Sequence, residues 1–128
     1  MIENTVDETT MRKIAEIALA RDLLILSDEI YDRLVYGTHE HTAFSSLAGM
    51  RDRTVLLGGF SKSYAMTGWR IGYVAAPAAL MNGIAKVHQY GIMCAPTAAQ
   101  FAAIEALRSG EEALQGMRAE YDRRRRYM

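Results

Sequence analysis

The residues in this sequence best suited to chemistry are a lysine and an arginine placed at the ends of two apolar runs. Lys62 follows Thr54-Val55-Leu56-Leu57, and Arg70 opens Ile71-Gly72-Tyr73-Val74-Ala75-Ala76. Short apolar runs of this kind read as buried strands, so an amine and a guanidinium face one small region. A lysine there can hold a carbonyl ligand as a Schiff base, or it can be a solvated cation at a loop tip.

A further strand-like run, Leu23-Leu24-Ile25-Leu26, also ends in polar groups: Ser27, Asp28, Glu29, then Tyr31. Open α/β sheets collect ligands outside the carboxyl ends of their parallel strands. An Asp and a Tyr from one strand end and a Lys from the next therefore make a coherent constellation. A lysine for an imine, a carboxylate for a pyridinium nitrogen and cations for a phosphate are what a protein contributes to pyridoxal phosphate chemistry.

Ser27-Asp28-Glu29-Ile30-Tyr31, Phe60-Ser61-Lys62 and Met66-Thr67-Gly68-Trp69-Arg70-Ile71-Gly72-Tyr73 together resemble the class I aminotransferases of pyridoxal phosphate (PLP) fold type I. The resemblance runs through nearly the whole chain and implies an internal piece of such an enzyme. The expected fold is α/β: residues 1–128 as part of the large cofactor-binding domain, with a remnant sheet of two parallel strands and one antiparallel strand, flanked by helices. The last helix, about 110–128, would lead toward a small domain. The implied reaction is amino-group transfer between an amino acid and a 2-oxo acid with pyridoxal 5'-phosphate. An inert segment, or a lyase or synthase of the same fold, is the alternative, because a fold and a cofactor do not fix a reaction.

The resemblance also implies roles. Lys62 would bind the cofactor covalently and move a proton between the substrate Cα and the cofactor C4′, and Asp28 would pair with the pyridine nitrogen. The Tyr31 hydroxyl would meet the ring oxygen O3′. The fork of Arg70 suits a phosphate dianion, and Ser61 adds a hydroxyl donor. Arg70, with partial burial, would push the Lys62 amine toward its neutral form. Gly59 stands where many members of the family carry Ser or Thr, which removes one phosphate contact. The family's upstream phosphate-binding turn, its aromatic over the ring, its Asn-Pro-type asparagine and its downstream carboxylate-binding arginine have no counterpart here.

These side chains must be held by elements that the pattern supplies. With 128 residues, half of them apolar, the chain suffices for one domain with a core. The 15 Lys and Arg balance the 15 Asp and Glu, which gives no electrostatic reason to expect nucleic acid or a membrane as a partner. No apolar run approaches the ~18 residues of a membrane span and no leader is evident, so a cytoplasmic protein is expected. The single cysteine, Cys94, fits a reducing compartment and reads as a buried apolar residue.

Thr5-Val6-Asp7-Glu8 has capping-box spacing and predicts a helix from Asp7 to about Ala20, with Met11, Ile14, Ala15, Ala18 and Leu19 on its apolar face. That helix feeding the apolar strand Leu23–Leu26 is half of a βαβ unit. Without its neighbour the strand leaves an open edge that should pair with another copy, giving a homo-oligomer, or be disordered. Residues 29–41 read mostly as loop, and His39-Glu40-His41 as a solvated turn rather than a metal site. The stretch 58–63 lacks the spacing of a nucleotide-binding P-loop, and Gly58-Gly59 suggests close backbone approach to a ligand or a sharp bend. The run after Arg70 should return antiparallel to Thr54–Gly58, because the connection is too short for a crossover helix. Pro77 and Pro96 predict helices to about Tyr90 and Arg108, and Ser109-Gly110-Glu111-Glu112 predicts a second capped helix. Arg123 to Arg126 read as solvated charges at its end.

Overall fold

The computed structural model describes residues 6–128. Helix α1 runs over Glu8–Ala20. Thr5 lies outside the described residues; the cap is Asp7, whose Oδ1 accepts from the Thr10 amide at 2.8 Å. Glu8 turns forward to Arg12 instead of back to the cap. An aspartate in extended backbone is among the best N-caps. Ala15 and Ala18 are buried against Phe44, Leu47 and Met50, with Met11 and Ile25 packed around them. Ile14 and Leu19, expected in the same stripe, are exposed, although Leu19 still lies beside Gly49 at the rim of the 44–50 turn.

Strand β1 spans Ile25–Asp28, two residues later than the apolar run suggests. The end of α1 explains the offset. Asp22 is left-handed at φ 50°, and the Leu23 amide reaches back to the Ala18 carbonyl at 2.9 Å. This is the Schellman closure of a helix, so Leu23 belongs to the cap. Arg53 secures the closure by donating to Asp22 Oδ1 at 3.1 Å and to the Leu23 carbonyl at 3.0 Å.

Strand β2, Thr54–Gly59, lies parallel to β1, with Asp28 opposite Leu57. Strand β3, Gly72–Ala75, returns antiparallel to β2, with Gly58 opposite Tyr73. The sheet order β1-β2-β3 is the expected pair of parallel strands with one antiparallel strand, and β1 and β3 are its edges among the described residues. The two glycines serve packing within the sheet. A Cβ on Gly58 would lie 2.3 Å from Tyr73 Cζ, and one on Gly59 would lie 2.8 Å from Ile30 Cδ1.

Three helices follow: α2 (Ala78–Gly91), α3 (Thr97–Ser109) and α4 (Glu111–Arg125). The second capping box does not form. Ser109 completes the last turn of α3 and its Oγ donates to Glu105 at 2.6 Å, while Gly110 bends the chain directly into α4 without a side-chain cap. Arg123 and Arg124 pair with Glu120, and Arg125 and Arg126 with Asp122. Cys94 is exposed rather than buried, because it sits in the turn between α2 and α3 where nothing packs over it. Among the described residues no helix is long and apolar enough to cross a membrane.

Candidate active site

Two strand ends and one loop build the site. At the end of β1, Asp28 is exposed and its Oδ1 accepts from the Ile30 amide at 3.2 Å. The chain then turns sharply, with the Asp32 amide on the Glu29 carbonyl at 3.0 Å and the Leu34 amide on the Tyr31 carbonyl at 2.9 Å. Tyr31 stands outward, 58% exposed. The turn spends the backbone donors locally, which frees the Asp28 and Tyr31 side chains to face outward at the sheet edge.

At the end of β2, Phe60 is buried with Met66 and Ala103, and Tyr64 and Ile71 pack around them. This wedge holds the loop from 60 to 71 between the sheet and α3. Its first turn is closed by the Tyr64 and Met66 amides on the Phe60 carbonyl, at 3.1 and 3.3 Å, and it carries Lys62 at its surface. The expected partial burial of Lys62 is not found; it is exposed, since the loop buries its flanking residues Phe60 and Ser63 instead. The ammonium lies 5.8 Å from the centre of the Tyr31 ring, a cation over an aromatic face.

Ser63 and Asp32 make a second link between the two strand ends, with the buried Ser63 Oγ donating to Asp32 Oδ1 at 3.3 Å. Farther along, Thr67 Oγ1 donates to the Ser61 carbonyl and Arg70 Nη1 donates to the Thr67 carbonyl, each at 2.9 Å. Arg70 is exposed, in the left-handed region at φ 52°, which is costly for a side chain with a Cβ and marks a conformation the surroundings impose. Lys62 and Tyr31 therefore meet directly, and Ser61 and Arg70 are joined through Thr67. Asp28 shares the same edge, and its carboxylate is hydrogen-bonded within its own turn, to the Ile30 amide. Neither Lys62 nor Arg70 has a carboxylate partner among the described residues.

Glu29 escaped the sequence reading. Its side chain, 8% exposed, accepts from Ser27 Oγ at 2.9 Å and the Phe44 amide at 3.0 Å, and meets His41 Nε2 at 2.8 Å. His39, Glu40 and His41 are all exposed, as expected of a solvated turn, and His41 is in addition tied to Glu29. Strand alternation was the available signal, since Ser27 and Glu29 share one face of β1 and Asp28 takes the other. Burial raises the Tyr73 phenol above its ordinary value, and the charges of Asp32 and Glu29 add to the shift. A hollow of about 390 Å³ between Arg51, Thr54 and Pro77 lies at the opposite end of β2 and is lined by none of these groups.

An amine and a guanidinium without carboxylate partners among the described residues, a carboxylate and a phenol thus stand beyond the carboxyl ends of β1 and β2. The chain is similar to known proteins over most of its length. The YugH protein of Bacillus subtilis is 50% identical over 115 residues, covering 90% of this chain and 30% of its own length. An aspartate aminotransferase of Pyrococcus abyssi is 43% identical over 118 residues, covering 91% and 30%. An aromatic aminotransferase of Pyrococcus horikoshii superposes with a TM-score of 0.91 at 39% identity, over 96% of this chain and 34% of that structure. The chain thus spans about 30% of the length of the curated relatives it matches. With residues 4–128 matching the family model for aminotransferase class I and II, the chain belongs to that family, and its sheet and flanking helices are part of the PLP fold type I architecture.

Proposed function

We propose that this chain is the cofactor-holding segment of an enzyme that moves an amino group between an amino acid and a 2-oxo acid, with pyridoxal 5'-phosphate as its cofactor. The observation that carries the reading is the meeting of Lys62 with Tyr31 across the carboxyl ends of β1 and β2. The donor set suits the cofactor: Lys62 for its aldehyde, Asp28 for its ring nitrogen, Tyr31 for its ring oxygen, and Arg70 with Ser61 for its phosphate. When bound, the cofactor supplies an electron sink for a carbanion at the substrate Cα.

The residues of the chain do the rest. Lys62, free of an ion pair among the described residues, is available as a nucleophile and then as the group that carries the Cα proton. The negative charge of Asp28 favours a protonated heterocycle beside it. The Tyr31 hydroxyl donates to an anionic oxygen, and the exposed Arg70 fork binds a dianion through paired donors. Residues 1–128 form part of a large domain, α4 leads toward a second, smaller one, and the open β1 edge suits assembly with another copy.

Incubation of the full-length enzyme that contains this segment with pyridoxal phosphate, 2-oxoglutarate and either aspartate or an aromatic amino acid tests the reaction. Formation of glutamate together with the matching 2-oxo acid is expected. Elimination products without glutamate would assign a lyase instead.

A further inference from the structure

Glu29 is a buried acid for which the proposed chemistry has no use, and its surroundings are those of an anchor. One carboxylate oxygen accepts from Ser27 Oγ and from the Phe44 amide, and the other meets His41. Its own amide donates to the Leu57 carbonyl at 2.8 Å, continuing the pairing of β1 with β2 past Asp28. Because successive side chains on a strand point to opposite faces, a carboxylate locked beneath the strand end at position 29 fixes the rotation of the peptide that carries position 28. The Ile30 amide, which donates to Asp28 Oδ1, lies on the other side of the same locked residue.

We infer that Glu29 is a positioning residue: held by Ser27, His41 and the Phe44 amide, it aims the Asp28 carboxylate outward from the sheet edge. His41 and Phe44 bring the segment from 41 to 44 to the underside of the strand end, so that loop takes part in setting the aim. The inference rests on the reading of Asp28 as the partner of a ring nitrogen, and it has two separable tests.

The first compares pyridoxal phosphate with its analogue bearing carbon in place of the ring nitrogen, bound to wild type, Glu29→Gln and Glu29→Ala. Glu29→Ala is expected to weaken pyridoxal phosphate about tenfold while holding the carbon analogue as wild type does. Glu29→Gln, which keeps the acceptor for Ser27 and Phe44, falls between. Equal weakening of both ligands would overturn the inference, because a general loss of structure does not discriminate one ring atom. The second test needs no cofactor. Amide hydrogen exchange at Ile30 is expected to accelerate at least about fivefold in Glu29→Ala, with Leu56 and Leu57 unchanged; an unchanged Ile30 amide would overturn the inference. Wild type that holds both ligands equally would contradict the reading of Asp28, and Ile30 exchange would then decide the role of Glu29 alone.

Discussion

The buried hydroxyl of Ser63 donates to the Asp32 carboxylate at 3.3 Å, tying the residue beside the lysine to the residue beside the tyrosine. The bond crosses from the loop after β2 to the turn after β1, and it parallels the approach of Lys62 to the Tyr31 ring. Two adjacent links of this kind hold the amine where the strand ends converge.

Ser63→Ala should therefore act on both stability and cofactor capture. Loss of one largely buried hydrogen bond costs about 1 kcal/mol, read as a lower midpoint in urea. The Ala65 amide, which closes the lysine turn on the Lys62 carbonyl, should exchange faster. A variant with wild-type stability and wild-type exchange would show that the link holds nothing.

Gly58→Ala tests the packing of Tyr73. The new Cβ would lie 2.3 Å from the phenol carbon Cζ, and overpacking of this sort costs about 1–3 kcal/mol. Tyr73→Ala in the same chain opens that space, so the double variant should be less destabilised than the sum of the two single ones. Strict additivity in thermal melts would contradict the contact.

Much of this site could be read from residue order alone. Asp28, Tyr31 and Lys62 stand beyond apolar runs and Arg70 opens one, and strand ends are where α/β sheets place polar groups. The antiparallel return of β3 followed from the short connection after β2. What escaped the sequence depends on partners distant along the chain. Glu29 looks like any acid in a loop until His41 and Phe44 arrive from another turn. Leu23 looks like strand until Asp22 turns left-handed and gives it to the helix cap. Ser109 has the spacing of a cap, yet α3 runs through it to Gly110. Local pattern identifies a residue's options, and tertiary contacts choose among them.

Arg70→Ala should separate phosphate recognition from ring recognition. A charge-assisted fork on a dianion contributes enough that its loss weakens pyridoxal phosphate about tenfold or more, while pyridoxal without the phosphate binds as it does to wild type. Fluorescence titration with the two ligands checks this. Equal loss for both would place the role of Arg70 in shaping the loop through Thr67.

The end of α4 should respond to acid over a defined window. Hydrogen bonds from Arg123 and then Arg124 hold Glu120 down to about 2, against an ordinary 4.5. A depressed carboxyl contributes stability that is fully present above its unfolded value and is lost as pH falls through its folded one. The helical signal of α4 should thus hold near neutral pH and decline between 4.5 and about 2. Glu120→Gln should reduce that decline in circular dichroism; an identical titration of variant and wild type would contradict the pairing.

The most direct measurement is chemical. Pyridoxal phosphate is added to the protein, the mixture is reduced with borohydride, and the site of any covalent adduct is located by peptide mass spectrometry. The account predicts a single reduced adduct on Lys62, absent in Lys62→Ala and diminished in Asp28→Ala. Adducts spread over Lys13 and Lys86 as readily as Lys62, or none on Lys62, would contradict it.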